Sequence, residues 1–261
     1  MSTYASLNAA ISALEWQMVA RGKPVKPKFW QATDVSARPE AQMKELTFVD
    51  IVAPMPTDMF GLEEQTKPNM PWAEDHFAER VRGEPVNPGT TWLNWPWSNS
   101  ADKHRKNEKF SHNYMERYWP KKARDGIKVQ EGIRYAYGDL NDVVALIAKD
   151  PLTRQAYMPV FFPEDTGAVH GERIPCSIGY HFMIRDDQLH VVYQLRSCDL
   201  WRHFRDDLYL TVRLAQWVAS GLRLDYGITV GLGTIHVHIS SLHLFINDYH
   251  ALSARLSKER A

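Results

Sequence analysis

The sequence predicts an α+β fold in which helices cover one face of a sheet, and three observations carry that prediction. Three strand-like runs, residues 156–162, 177–184 and 189–195, crowd the C-terminal half. Residues 208–222 place Leu208, Leu210, Val212, Leu214, Ala215 and Val218 nearly all round a helix, which predicts a buried one. A further strand-like run, 228–239, follows it, so helix and strands have to share one core as packed layers.

The remaining elements follow in chain order. Residues 4–20 put Leu7, Ile11, Leu14 and Met18 at helical spacing, and Gly22 ends that helix. The stretch 22–39 mixes Pro24, Pro27 and Pro39 with Lys23, Lys26 and Lys28 and reads as a loop. Residues 47–52 alternate as a strand, residues 54–71 carry four prolines and read as irregular, and 72–81 reads as a helix ended by Gly83 and Pro85. Residues 85–108 hold Trp92, Trp95 and Trp97 between prolines and polar residues and read as a loop-rich insertion into one domain spanning 1–261. A short helix is expected within 110–119, closed by Pro120, and another over 140–148 with Asp139 as its cap. Arg185-Asp186-Asp187-Gln188 is the turn between the second and third strands. Gly231 and Gly233 inside the 228–239 strand mark a bulge or a close approach to a ligand, and 240–250 is expected to be helical.

Composition narrows the function classes. The 261 residues carry 31 basic and 31 acidic side chains and no formal net charge, which points away from polymeric nucleic acid and membrane surfaces. A small anion needs only a few local arginines. The apolar runs fall short of the ~20 residues of a membrane span, and residues 1–20 carry Glu15 without a basic n-region, unlike a signal peptide. Two cysteines are too few for a disulfide scaffold, so a cytoplasmic, reducing location is expected. Nine Trp and eleven Tyr suit stacking on planar ligands as well as core packing.

Cys176, after Pro175 at the head of a predicted strand, is either a small buried hydrophobe or a nucleophile that needs nearby cations. Arg196-Ser197-Cys198-Asp199 ends another strand. An arginine there can clamp a phosphate with its fork and draw down the thiol pKa. The order Asp150-Pro151-x-x-Arg154, Pro175-Cys176, Arg196-Ser197-x-Asp199, Asp207 and Leu232-Gly233-x-x-His236 resembles the thymidylate synthase family, including the phage deoxycytidylate and deoxyuridylate hydroxymethylases. The resemblance covers about residues 139–250, and Phe110-Ser111-His112-Asn113-Tyr114 is similar to the family's tyrosine segment before the cysteine.

That resemblance implies a mixed sheet covered by helices and a homodimer formed through the sheet, with shared sites. It implies a pyrimidine nucleoside monophosphate as substrate, 5,10-methylenetetrahydrofolate as cosubstrate, and no metal. Cys176 would attack C6, making C5 nucleophilic toward the folate's methylene. Arg196 and Ser197 would hold the 5′-phosphate, and Arg154 would reach the phosphate of the neighbouring subunit. Gln155 stands where the family often has a second arginine. Asp199 would contact the folate ring beside Trp95. His236 would meet the sugar 3′-hydroxyl, His238 stands at a nucleotide-binding position where the family usually has tyrosine, and Tyr114 would line the base pocket. A carboxylate must relay protons around C4 and C5. Glu74 fits best among Glu74, Asp75 and Glu79, whereas Glu79 reads as part of a solvated helix face.

Asp207 departs most informatively from thymidylate synthases, where an asparagine reads uracil. Cytosine offers an N4 amino donor and an N3 acceptor. A carboxyl group accepts from the first and, when protonated, donates to the second. Asp207 therefore favours cytosine, and Phe204-Arg205-Asp206-Asp207 is similar to the deoxycytidylate hydroxymethylase segment. The plainer role for Asp206 and Asp207 is to cap the helix expected from Leu208. With the cytosine-type aspartate the expected product is 5-hydroxymethyl-dCMP or -CMP. The alternatives are C5 methylation of dUMP or dCMP, and a catalytically dead relative that only binds nucleotide or RNA.

Overall fold

The computed structural model describes residues 2–30, 33–123, 138–166 and 173–259. Its elements in chain order are β1 (Ser2–Thr3), α1 (Leu7–Arg21), β2 (Lys23–Val25), β3 (Phe29–Trp30), β4 (Thr33–Asp34), β5 (Met43–Pro54), α2 (Met59–Thr66), α3 (Trp72–Arg80) and α4 (Ser98–Asp102). There follow α5 (Tyr114–Tyr118), α6 (Pro120–Ala123), α7 (Leu140–Lys149), β6 (Tyr157–Pro159), β7 (Ser177–Arg185), β8 (Gln188–Leu195), β9 (Cys198–Asp199), α8 (Phe204–Tyr226), β10 (Gly231–Phe245) and α9 (Ile246–Glu259). The fold is mixed α+β.

One large sheet runs β1-β5-β10-β8-β7-β6, with β2 on β5 and β9 on β10. It is mixed because β10 lies antiparallel to β5 but parallel to β8. The buried face carries Ile51, Ala53, Tyr180, Phe182, Val191, Tyr193, Ile235, Val237 and Leu242. It packs against Leu7, Ile11 and Leu14 of α1 and Leu208, Val212, Ala215 and Leu222 of α8. Alternation of period two on the strands and apolar residues round α8 make these two layers one core. The helix ends at Gly227, whose φ of 69° lets its N–H reach the Arg223 and Leu222 carbonyls. The β7–β8 hairpin turns on Asp186 and Asp187, both at positive φ, as a tight turn of this hand requires. Asp139 and Asp142 form a reciprocal capping box at α7.

Several expectations need correction. The 22–39 loop contains β2 and the β3–β4 hairpin, while residues 31 and 32 lie outside the described residues. The proline-rich 54–71 stretch contains α2, because its prolines flank rather than interrupt Met59–Thr66, whose N-cap is Asp58. Residues 228–230 are not strand, and β10 runs on to Phe245, so the helix expected from 240 begins at Ile246. The register slip expected at the glycines lies between Leu232 and Ile235. A side chain at Gly233 would strike the His190 ring, so the close approach there is to protein. α8 starts four residues before Leu208, which leaves Asp206 and Asp207 in its first turn rather than at its cap. Among the described residues no helix is long and apolar enough to cross a membrane.

Candidate active site

A cavity of about 690 Å³ opens where β7, β8, β9 and the far end of β10 meet. That volume is in the range of small-molecule sites. Cys176, Arg196, Ser197 and Asp199 all line it. Cys176 immediately precedes β7, and its carbonyl accepts the Arg196 N–H at 2.9 Å, which locks the two together. The Arg196 guanidinium donates Nε to the Pro175 carbonyl (2.8 Å) and Nη2 to the Ile174 carbonyl (3.0 Å), bracing the backbone before the thiol. Two of its five N–H donors are thus used, and the other three have no protein acceptor among the described residues. Burial pushes the Cys176 thiol up. Arg196 and Arg173 pull it down, and Asp207 and Asp199 add to the upward push.

Asp199 is buried and caps the turn into α8, accepting from the Trp201 and Arg202 N–H groups, each at 2.9 Å. Burial raises its carboxyl above the ordinary range, against the pull of His203. Asp207, about one turn of α8 beyond His203 of the cavity wall, is held by the Cys198 thiol, which donates to its Oδ2 at 3.4 Å. Burial raises Asp207 to about 7, against the opposing pull of Arg80 and this thiol bond. Both protonation states are therefore accessible near neutrality. Asp206, the expected cap, instead accepts from the backbone and side chain of Asn69.

The insertion has a clear place. Trp95, Trp97, Ser100, Ala101 and His104 form one wall of the cavity. Trp95 stacks on His203 (5.0 Å, 27°) and tilts against Trp72 at 5.8 Å, and its buried indole N–H has no hydrogen-bond partner among the described residues. Trp97 lies under the Arg202 guanidinium at 4.8 Å. Facing this wall are Phe29 and Trp30 of β3, and Trp30 meets His104 edge-on at 5.8 Å. Tyr114 is not part of the wall but lies beside it, its hydroxyl 2.9 Å from Ser177 Oγ.

Six of the residues weighed for the site lie elsewhere. Glu74 is taken by Arg213 (Oε1–Nη2 2.7 Å, Oε2–Nε 2.9 Å) and Tyr209 (2.9 Å), away from the cavity lining. Burial pushes its carboxyl up, but the Arg213 and Tyr209 bonds outweigh that and hold it low. Glu79 is not solvated: it is buried, and it accepts from the Thr90 N–H at 2.6 Å and the Thr91 hydroxyl at 2.5 Å, clamping the start of the insertion. Asp75 is exposed. His236 and His238 face outward from the sheet, His236 against Thr234 (2.9 Å) and His238 against Asp50 (2.7 Å). Arg154 is exposed near the sheet's other edge, where its carbonyl meets the His181 ring at 3.1 Å.

The cavity wall on β10 is instead Ser241, His243 and Phe245. Burial runs alternately as far as Ile239, slips by one at Ser240–Ser241, then resumes at Leu242 and Leu244. Leu242 and His243 pair with Cys198 and Asp199, which brings His243 Nδ1 within 3.3 Å of Ser197 Oγ. Ser241 donates to Glu45 of β5 at 2.5 Å. Burial drops His243 to about 4, so the ring is neutral at physiological pH. Sequence reasoning missed Glu45, Arg173, Ser241 and His243. The alternation of Leu242 and Leu244 was the available signal for the last two.

Among the described residues no group of three or more His, Cys, Asp or Glu side chains is placed to hold a metal ion. No protein-family model matches this chain, and a search of curated proteins returns no match.

Proposed function

We propose that this chain is a thymidylate synthase-type pyrimidine nucleotide C5 hydroxymethyltransferase that converts dCMP or CMP through a covalent Cys176–C6 adduct, with 5,10-methylenetetrahydrofolate as cosubstrate. The observation that carries this reading is the convergence of Cys176, Arg196, Ser197 and Asp199 on one cavity, with Asp207 fixed beside it by Cys198. A thiol, a phosphate clamp and a titratable carboxyl at the head of one helix are the parts that addition to a pyrimidine nucleotide needs.

In this reading Arg196 and Ser197 bind the 5′-phosphate, with Arg173 adding positive charge to the same wall. Asp207, poised near neutrality by burial, donates to N3 of cytosine when protonated and accepts from the N4 amino group. An asparagine fixed in the uracil-reading orientation, with its amide N–H toward the C4 substituent, would leave both partners mismatched in a closed site. The sugar hydroxyls lie toward Ser241, His243 and Glu45 rather than His236 and His238. The folate supplies the one-carbon unit. Trp95 offers it a stacking surface and a buried indole N–H, next to the Asp199 carboxyl. The proton relay expected of Glu74 falls to other groups, because Arg213 holds that carboxylate outside the site.

The outward face of the sheet supports the shared-site homodimer. It exposes Met183, Val192, His236 and His238 in part, and carries Phe48 at 75% exposure with φ 55°. A bulky residue held at positive φ and turned to solvent is unusual enough to point to a partner.

The test is a purified-enzyme assay that offers dCMP, CMP and dUMP with methylenetetrahydrofolate and reads products by mass. Gain of CH2O on a cytosine nucleotide, lost in Cys176→Ala, is the expected result. Gain of CH2 with dihydrofolate formed would make the enzyme a methyltransferase, and turnover of dUMP alone would remove the base-reading role from Asp207.

A further inference from the structure

A chain of three hydroxyl groups lies beneath the nucleophile. Tyr114 Oη is 2.9 Å from Ser177 Oγ, and Ser177 Oγ is 2.6 Å from Tyr193 Oη. Ser177 follows Cys176 directly and is fully buried at the head of β7, and Tyr193 on β8 is 1% exposed. The Tyr193 ring is clamped flat on Tyr180, with centroids 4.6 Å apart and planes 4° apart. The Arg80 guanidinium covers the Tyr114 ring at 4.1 Å. Neither end of the chain is free to swing away.

Each hydroxyl has one proton to donate, so three arrangements are possible. If both tyrosines donate to Ser177, the buried Ser177 proton is stranded, because Ser177 Oγ has no other hydrogen-bond partner among the described residues. If Tyr114 donates to Ser177 and Ser177 to Tyr193, the Tyr193 proton is stranded in the core. Among the described residues Tyr193 Oη has no hydrogen-bond partner other than Ser177. A buried donor with no acceptor is unfavourable and rare. If Tyr193 donates to Ser177 and Ser177 to Tyr114, both buried protons are used. The one left over belongs to Tyr114, the least buried of the three, on which the charges of Asp207 and Cys176 both act.

We infer that the chain runs Tyr193→Ser177→Tyr114 and that Ser177 and Tyr193 are positioning residues: they turn Tyr114 into a hydrogen-bond donor toward the ligand held against Cys176. The consequence for turnover rests on the proposed function. Addition of the thiolate to C6 spreads negative charge over the pyrimidine, and a fixed O–H donor meets that charge without reorganising. Burial keeps the Tyr114 hydroxyl protonated well past neutrality, so it donates across the working pH range. The step is a hydrogen bond, with no net proton transfer to balance.

Neutron diffraction from deuterium-exchanged crystals of the ligand-free protein tests the direction without any assumption about activity. The expected result is deuterium on Tyr193 Oη pointing at Ser177 and deuterium on Ser177 Oγ pointing at Tyr114; the reverse orientation, or both tyrosines donating to Ser177, overturns the inference. Solvent exchange of the C5 hydrogen of dCMP or CMP tests the consequence. Ser177→Ala and Tyr193→Phe should lower kcat by roughly ten- to a hundredfold, less than or comparable to the roughly hundred- to thousandfold loss on removing such a donor outright, while the nucleotide KM moves less than about threefold. Unchanged rates in both variants would overturn the positioning role. A wild-type protein that exchanges no pyrimidine monophosphate would overturn the proposed function instead, and the neutron map would still decide the chain's direction.

Discussion

Asp207 is the residue on which base choice turns in the proposed reaction, and its surroundings give it two measurable signatures. The first is specificity. Asp207→Asn replaces a group that reads N3 and N4 of cytosine with one that donates to O4 and accepts from N3–H of uracil. The cytosine-to-uracil ratio of kcat/KM should fall by at least about a hundredfold, since mismatched buried polar groups discriminate strongly. Competition between dCMP and dUMP in one vessel measures it, and an unchanged ratio would place base reading elsewhere. The second signature is stability. Burial raises the folded-state pKa to about 7, above the value of about 3.9 in an unfolded chain. Between those values the folded state holds a proton that the unfolded state has lost, so stability falls as pH rises and the loss is complete above the folded pKa. Asp207→Asn removes that penalty. The variant should melt higher than its parent at about pH 8, by an amount on the order of a few kcal/mol. The gain should fade as pH is lowered toward about 4. Calorimetry across that range checks the sign: a variant less stable than its parent at high pH would mean that the buried acid is held by more than the Cys198 thiol.

At the scale of elements, what the sequence revealed depended on whether a single element's own pattern sufficed. The apolar circumference of α8, the two-residue turn between β7 and β8 and the Asp139 cap of α7 are local signals, and each element formed where its pattern lay. The end of β10 was not legible because alternation slips by one residue at Ser240–Ser241, and the strand persists there only because β5 and β9 pair with it. That slip decides which side chains reach the cavity. Ser241→Ala and His243→Ala should each weaken nucleotide binding about tenfold, the loss expected on removing a ligand hydrogen bond, whereas His236→Ala should leave it within about twofold. Calorimetric titration with dCMP and CMP separates them, and the reverse pattern would return the sugar to the outer face. The insertion was equally opaque, since three tryptophans among prolines have no period to read. Its role comes from the aromatic stack of Trp72, Trp95 and His203, which presses one cavity wall against the head of α8. Trp95→Ala should raise the folate KM by about tenfold or more, the scale of losing a buried aromatic contact, with nucleotide binding little changed. Equal effects on both ligands would show a wall that supports the whole cavity.

For the whole molecule, the two faces of the sheet answer different needs. The buried face is closed by α1 and α8, while the other carries half-exposed Met183, Val192, His236 and His238 and the outward Phe48. A twofold dimer through that face would bury Phe48 against its own copy's neighbours, as an isologous interface requires. Such a dimer would also bring the exposed Arg154, which is remote from the cavity of its own chain, toward the partner's phosphate clamp. Shared sites have a consequence that separate sites do not. Arg154→Ala and Cys176→Ala homodimers should each be nearly inactive, because every site lacks one part. After the two are unfolded and refolded together, half of the dimers are mixed. In each of these, one site combines an intact Cys176 from the first chain with an intact Arg154 from the second. Activity should therefore return to about a quarter of the wild-type level, as random pairing of a twofold dimer dictates. Phe48→Asp should abolish the recovery by separating the subunits, which ultracentrifugation would register as a fall to monomer mass. If the mixture stays inactive while the protein sediments as a dimer, Arg154 serves no partner's site and each cavity binds its phosphate with Arg196 and Arg173 of its own chain.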